Sequence, residues 1–343
     1  MSFTYIKPLP SPEEIREIVP VSDRVRQIKE ERDEEIRRIF LGKDDRFILI
    51  IGPCSADNED AVLDYVERLA GVQEQVKDRL LLIPRIYTNK PRTTGLGYKG
   101  IIHQPDPEGK PDLAAGLIAM RRMHIRAIEV SGLTAADEML YPSNWSYVSD
   151  FLSYVAIGAR SVENQQHRLT VSGLDIPVGM KNPTSGDLSV MINGIIAAQT
   201  GHTFIYRTAE YETSGNPLAH AVLRGATNKH GQSISNYHYE DLELLLNMYD
   251  NTGLENPAAI IDTNHSNSDK RYDQQPRIAR EIMHSRRYDS RIRQLVKGLL
   301  IESYLESGAQ KIGETHIYGK SITDPCLGWR ESENLIYEIA DRM

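Results

Sequence analysis

Short apolar runs recur along the chain, separated by longer stretches in which apolar positions return every three or four residues. The runs are 47–51 (FILII), 80–84 (LLLIP), 127–130 (AIEV), 154–158 (YVAIG), 177–180 (PVGM), 221–223 (AVL), 258–261 (AAII) and 298–301 (GLLI). Runs this short read as strands. Segments 58–77, 112–124, 187–199, 240–251, 271–286 and 330–342 carry helical spacing instead. TFIY at 203–206 is a further strand candidate, placed in a hairpin within a long insertion. Eight strands alternating mostly with helices predict parallel βα units, and eight is the number that closes a (β/α)8, or TIM, barrel. An open doubly wound sheet is the alternative, because periodicity does not encode closure.

Ahead of this pattern, residues 1–22 are punctuated by Pro8, Pro10, Pro12 and Pro20 and read as an arm outside the core. Residues 23–41 are dense in charge, with Val25, Ile28, Ile36 and Ile39 at roughly helical intervals. They predict an amphipathic helix that packs on the body or on a second subunit. The expected organisation is an arm and helix over 1–42 and one catalytic barrel over 43–343.

Charge narrows the function. With 48 acidic against 40 basic side chains the formal charge is −8, which repels polyanions and argues against a nucleic-acid or anionic-membrane binder. Two cysteines, Cys54 and Cys326, provide no disulfide framework. The N-terminus lacks the basic-then-apolar pattern of a signal peptide, and no apolar run approaches the roughly 20 residues that span a bilayer. A soluble cytoplasmic protein is expected.

The residues just past each apolar run carry the chemistry. FILII leads to Cys54, LLLIP to Arg85 and then Lys90 and Arg92, AIEV to Glu138, YVAIG to Arg160 and PVGM to Lys181. AVL runs into Arg224, AAII into Asp262 and His265, and GLLI into Glu302. Barrel chemistry is built at the C-terminal ends of strands. Six cations (Arg85, Lys90, Arg92, Arg160, Lys181 and Arg224) converging there require a multiply anionic ligand, for which arginine supplies a bidentate fork and lysine a point charge. No nucleotide loop of the Gly-x-x-x-x-Gly-Lys-Ser/Thr kind is present. The second set is Cys54, His265, Glu302 and Asp324. One thiolate, one imidazole and two carboxylates suit a borderline divalent ion such as Mn²⁺, Fe²⁺, Co²⁺ or Zn²⁺.

Taken together, Ile-Gly-Pro-Cys-Ser (51–55), Lys-Pro-Arg-Thr (90–93), Gly-Ala-Arg (158–160), Asp-Thr-Asn-His (262–265), Ile-Glu-Ser (301–303) and Gly-Lys-Ser-Ile-Thr-Asp (319–324) resemble the type I 3-deoxy-7-phosphoheptulonate (DAHP) synthases. The likeness is closest to the microbial, amino-acid-regulated α subfamily and runs in order from about residue 10 to the C-terminus. It implies that phosphoenolpyruvate and D-erythrose 4-phosphate condense to DAHP with release of phosphate, in the first step of the shikimate pathway. It further implies Cys54, His265, Glu302 and Asp324 as metal ligands. Phosphoenolpyruvate would sit on Arg85, Lys90, Arg160, Lys181 and Arg224, with Glu138 close by, and the erythrose phosphate on Arg92 and Thr93. Lys90, Glu138 and His265 are the implied catalytic residues: Lys90 would protonate the nascent alkoxide or orient the carbonyl, and Glu138 or metal-bound water would take the proton of the attacking water. A homodimer or homotetramer is implied as well.

An aromatic amino acid effector is implied too, in a pocket near 141–147, Leu174, Asp175 and Phe204 that touches the arm before residue 12. The arm here, Pro-Leu-Pro-Ser, offers no carboxylate for an ammonium group, which leaves Asp175 as a candidate substitute. The resemblance also expects Cys326 near Cys54. Competing readings are a sister synthase using arabinose 5-phosphate, a Schiff-base aldolase built on Lys181, and a non-catalytic amino-acid sensor on the same fold.

Overall fold

The computed structural model describes residues 2–92, 95–313 and 316–343. Eight parallel strands, β1 (Phe47–Gly52), β2 (Leu80–Pro84), β3 (Ala135–Glu138), β4 (Leu152–Ile157), β5 (Val178–Lys181), β6 (Ala219–Leu223), β7 (Ala259–Asp262) and β8 (Val296–Glu302), form one sheet in the order β2-β1-β8-β7-β6-β5-β4-β3. The two ends meet where Arg85, just past β2, bridges Ala136 of β3, with the Ile86 N–H donating to the Ala136 carbonyl at 3.0 Å. The chain is a (β/α)8 barrel.

The alternation of side chains along each strand sorts the core into two shells. Ile48, Ile50, Leu81, Ile83, Tyr154, Val222, Ile260 and Leu300 pack together inside the barrel. Their neighbours Leu49, Leu82, Val155, Leu223, Ile261 and Leu299 face outward against the helices. Because both faces are covered, the strands read as unbroken apolar runs rather than as alternation.

Helices α3 (Glu59–Val76), α4 (Leu113–Ser131), α5 (Trp145–Val148), α6 (Gln165–Val171), α7 (Leu188–Gln199), α8 (Tyr239–Asp250), α9 (Gln275–Tyr288), α10 (Ser290–Leu295) and α11 (Trp329–Asp341) form the outer layer, preceded by α1 (Pro12–Ile18) and α2 (Asp23–Phe40). Helix α2 packs on the body: Ile36, Ile39 and Phe40 join the inner shell and stop the N-terminal mouth of the barrel. Phe40 lies 4.3 Å from the His220 ring. The TFIY stretch is the first strand of an antiparallel hairpin, Thr203–Tyr206 with Ala209–Glu212.

Two expectations are corrected. AIEV at 127–130 is not a strand; it forms the last turn of α4, which continues the apolar stripe of Met120, Met123 and Ala127 and stops at Gly132, whose φ of 69° makes a left-handed cap. The third strand is AADE at 135–138, whose apolar content is two alanines. The arm is not wholly outside the core either. Ser11 and Glu14 form a capping box that starts α1 and buries Ile15 completely.

Candidate active site at the C-terminal mouth

The inward parity of each strand continues upward into the functional groups. Above Ile83 comes Arg85, above Ala136 comes Glu138, and above Val222 comes Arg224; likewise Asp262 follows Ile260 and Glu302 follows Leu300. On β1 the next inward position is Gly52. A Cβ there would lie 2.4 Å from the Arg85 carbonyl oxygen, so glycine allows β1 and β2 to approach as the chain turns toward Pro53 and Cys54.

A cleft of about 510 Å³ opens over this layer. Arg85, Lys90, Arg92, Arg160, Lys181 and Arg224 all line it, joined by Glu138, His265, Lys270 and Asp324. Every cation expected from the sequence is therefore brought to one mouth. Arg92 is partly held elsewhere, donating from Nε to the Tyr98 carbonyl at 2.8 Å. Thr93 lies outside the described residues.

Below the cleft a Cys54 sulfur, a Glu302 oxygen and an Asp324 oxygen lie within 4.8 Å of one another. His265 stands at their edge, its Nε2 4.0 Å from Glu302 Oε1. Its backbone is left-handed (φ 46°), as are Asp269 and Lys270 in the same loop. Such conformations cost about 1–3 kcal/mol each and persist where surrounding bonds enforce them. Here Asn267 Nδ2 donates to the Asp262 carbonyl at 2.8 Å, and the Lys270 N–H donates to the His265 carbonyl at 2.8 Å.

The charges are tightly paired. Lys90 Nζ is 2.6 Å from Cys54 Sγ and 3.6 Å from Asp324 Oδ2, and Lys270 Nζ is 3.1 Å from Asp324 Oδ1. Burial opposes the Asp324 charge, but Lys90, His265 and Lys270 outweigh it and hold the carboxyl well below the usual range. Burial likewise opposes the Lys90 charge, and Cys54 and Asp324 more than compensate, so its pKa is raised. For Cys54, burial and then Glu302 push the thiol up. Arg85 Nη1 sits 3.0 Å from Glu302 Oε1, with its guanidinium 3.9 Å over the Tyr87 ring.

Cys54, Glu302, Asp324 and the adjacent His265 fit a divalent ion. One soft donor, one imidazole and two hard oxygens suit a borderline metal. The fully buried Glu302 Oε1 accepts no hydrogen bond among the described residues, its contact with Arg85 being an ion pair alone. Cys326 is buried beside the same group, its Sγ 3.6 Å from the Asp324 carbonyl.

Asp262 is a site residue that the strand-end pattern contains but assigns no role, although its parity with Ile260 marks it. It is fully buried, with Oδ2 2.8 Å from His265 Nδ1 and 3.6 Å from Lys181 Nζ. Burial disfavours its charge, but His265, Lys181 and Arg224 overcome that and keep it ionised. Lys181 also lies 3.9 Å from Glu138 Oε2, so the cation is held between two carboxylates. Asn264, which donates to Glu302 Oε2, lies within the Asp-Thr-Asn-His motif but is assigned no role there, and Lys270 carries no sequence signal beyond its nearness to His265.

A second cavity of about 330 Å³ lies on the flank, lined by Trp145, Leu174, Phe204, Tyr206, Tyr211 and Glu212 among others. Asp175 is not part of its lining; the carboxylate there is Glu212. The arm reaches this side of the molecule, where Tyr147 donates to the Pro10 carbonyl at 2.9 Å. No helix among the described residues is long and apolar enough to cross a membrane.

Comparison with known proteins agrees with the fold. The chain is 37% identical over 329 residues to the Trp-sensitive phospho-2-dehydro-3-deoxyheptonate aldolase of Enterobacter agglomerans, covering 94% of this chain and 91% of the relative. It is 35% identical over 340 residues to the Tyr-sensitive enzyme of Escherichia coli, covering 96% and 92%. A solved phospho-2-dehydro-3-deoxyheptonate aldolase from Francisella tularensis superimposes with a TM-score of 0.93 at 29% identity, covering 99% of this chain and 98% of that one. With residues 23–336 also matching the family as a whole, the chain belongs to the DAHP synthetase I family.

Proposed function

We propose that this chain condenses phosphoenolpyruvate with D-erythrose 4-phosphate to give DAHP and inorganic phosphate. The observation that carries the reading is the union of two groups in one mouth: the cations lining the cleft, and the Cys54, His265, Glu302 and Asp324 set beneath it. Two phosphates and a carboxylate need that many fixed positive charges, and few of them are free to relax. Arg85 and Lys181 are buried and cross-braced by Glu302, Glu138 and Asp262, so they stand oriented before substrate arrives.

In this reading Arg85, Arg160, Lys181 and Arg224 hold the phosphate and carboxylate of phosphoenolpyruvate, while Arg92 and Thr93 hold the erythrose phosphate. C3 of phosphoenolpyruvate forms the new carbon–carbon bond to the aldehyde carbon. Lys90, charged by its pairing with Cys54 and Asp324, gives a proton to the resulting alkoxide. Water then adds at C2, with Glu138 accepting its proton, and the tetrahedral adduct collapses to the ketone by C–O cleavage, expelling phosphate. A divalent ion (Mn²⁺, Fe²⁺, Co²⁺ or Zn²⁺) on the Cys54, His265, Glu302 and Asp324 donors would supply Lewis-acid polarisation of the aldehyde carbonyl.

Phosphate release from phosphoenolpyruvate, measured with and without erythrose 4-phosphate, with EDTA, and with Mn²⁺ restored, tests this. The expected result is release that requires the aldehyde, disappears on chelation and returns with metal. Turnover that resists chelation would refute the metal set, and absence of turnover with every ion would refute the catalytic reading. Lys181 as a Schiff-base nucleophile is disfavoured by its place between two carboxylates, Glu138 and Asp262, which hold its Nζ as an ion-pair partner; borohydride with substrate should trap nothing.

The regulatory half of the proposal is an aromatic amino acid at the flank cavity. Its wall of Trp145, Phe204, Tyr206 and Tyr211 suits an aromatic side chain, and Glu212 offers a carboxylate for the ammonium. The relatives named for Trp or Tyr sensitivity support an effector of this class. Exposed Phe3, Tyr5 and Ile6 on the arm support a homodimer or homotetramer in which that arm is covered.

A further inference from the structure

At the opposite end of the barrel, a cavity of about 770 Å³ opens between the end of α2, the end of α8, helix α10 and the start of β8. Its chemistry is unlike that of an ordinary surface groove. Arg286, from the last turn of α9, is only 6% exposed and reaches no carboxylate among the described residues. Its guanidinium lies 4.1 Å over the Phe47 ring, Nη1 faces the sulfurs of Met283 (3.8 Å) and Met343 (3.2 Å), and Nε has no partner among the described residues. A buried charge without a counter-ion is costly unless something pairs with it. Arg293 and Lys297 line the same cavity, and neither lies within ion-pairing distance of a carboxylate among the described residues. Among the described residues the cavity's own acids, Asp45 and Asp250, lie beyond ion-pairing distance of all three, although the Asp45 charge partly offsets the effect of burial on Lys297. Lys297 is the one charged position before Glu302 in an otherwise apolar β8, and its Nζ stands over Gly42, which carries no side chain to cover it.

We propose that this cavity binds a phosphate dianion, free or as the head of a small ester, between Arg286, Arg293 and Lys297. Three cations without partners match two negative charges, and Arg286 supplies the planar fork that phosphate oxygens accept. The apolar wall beside them, Phe40, Leu246, Leu295 and Val296, suits the body of an ester. Burial, followed by the Arg293 charge, pulls the pKa of Arg286 down to about 9, and burial with Arg286 lowers that of Lys297, so an incoming anion relieves a standing electrostatic cost. The site lies at the N-terminal mouth, closed off from the catalytic cleft by the packed barrel interior, and makes no use of the residues assigned to the reaction.

Equilibrium dialysis of the full-length protein against labelled inorganic phosphate counts sites per chain. The catalytic cleft retains its own site in every variant, so the Arg286→Met/Lys297→Met protein should bind one phosphate fewer per chain than the parent. Methionine fits against the sulfurs and the Phe47 ring, and the anion-free Arg286→Met protein should melt no lower than the parent because it loses an unpaired buried charge. Lys297→Met alone, at a half-buried position, should weaken the same site tenfold or more while the KM values for both substrates stay unchanged. Equal phosphate stoichiometry and affinity in the parent and both variants would overturn the proposal, as would equal displacement by acetate at matched ionic strength. Phenyl phosphate binding more tightly than inorganic phosphate at this site would assign the ester as occupant, and equal affinity would assign the free ion.

Discussion

Asp262 offers the sharpest test of how the metal group is held. In Asp262→Asn the side chain keeps its shape, but the full charge beside His265 Nδ1 (2.8 Å) and Lys181 Nζ (3.6 Å) is lost. A carboxylate behind a metal-bound imidazole fixes its tautomer and raises its basicity, and removing it lowers metal affinity by about 10–100-fold. That is roughly 1.4–2.7 kcal/mol, at 1.4 kcal/mol per factor of ten. The same change leaves Lys181, 3% exposed, with Glu138 at 3.9 Å as its one carboxylate partner among the described residues, and breaking a buried pair from one side costs about 3–5 kcal/mol where nothing compensates. Because Glu138 remains, the loss of folding stability should fall at or below the low end of that range. Competitive chelation of Mn²⁺ gives the affinity and urea unfolding of the metal-free protein gives the stability. Both should drop, and saturating Mn²⁺ should restore much of kcat. Unchanged metal affinity with an intact fold would refute the claim that Asp262 orients His265, whatever happened to activity.

Three further outcomes are expected. Gly52→Ala drives a Cβ to 2.4 Å from the backbone oxygen of Arg85, so β1 and β2 must part; a loss of about 1–3 kcal/mol in urea unfolding is expected, with kcat falling because Cys54 and Arg85 both shift. His220, whose Nδ1–H donates to the Leu218 carbonyl and whose Nε2 accepts from Tyr154, has its pKa lowered by burial to about 4. The unfolded chain therefore binds the extra proton first, and stability should fall by roughly 3 kcal/mol as pH drops from about 6.5 to 4, a limb that His220→Gln should flatten in pH-dependent melting. Lys90→Met should lower kcat by about 10²–10⁴-fold while Mn²⁺ binding persists, since Cys54 and Asp324 keep their places; a kcat within tenfold of the parent would remove Lys90 from proton transfer.

The strand-end chemistry was legible in the sequence because it obeys the same two-residue period as the core beneath it. Once Ile83 faces inward, Arg85 must do so too, and Leu300 commits Glu302 in the same way. Parity would have assigned Asp262 from Ile260, but the nearby histidine drew the role instead. The α4 register was harder to read. AIEV has strand composition, yet its apolar positions extend the helical stripe begun at Leu117, and tertiary packing decided the matter. The true third strand is short, and its Ala-Ala-Asp-Glu has no β-branched residue to announce it. For α1 the signal was present, in the spacing of Ser11 and Glu14, and was outweighed by the surrounding prolines.

What no local pattern could carry is the closure of the ring and the fold of the loop that delivers His265. Parity fixes which face a residue takes but is silent on how far round the barrel its neighbour stands: Cys54 and Glu302 meet because β1 pairs with β8, and Asp324 joins them from the segment beyond β8, its N–H donating to Cys54 Sγ at 3.4 Å. His265 lies outside the parity rule altogether. It leaves β7 through a left-handed turn that sterics disfavour, pinned by Asn267 to the β6 and β7 carbonyls and by Asp262 at its ring. Glu302 thus comes from a strand end, Cys54 and Asp324 from bends outside the strands, and a strained loop supplies His265, the ligand candidate that stands farthest from the group. The identities of six cleft cations and of all four donors, His265 included, could therefore be read from the sequence, whereas Lys270 and the loop geometry that holds His265 in place could not.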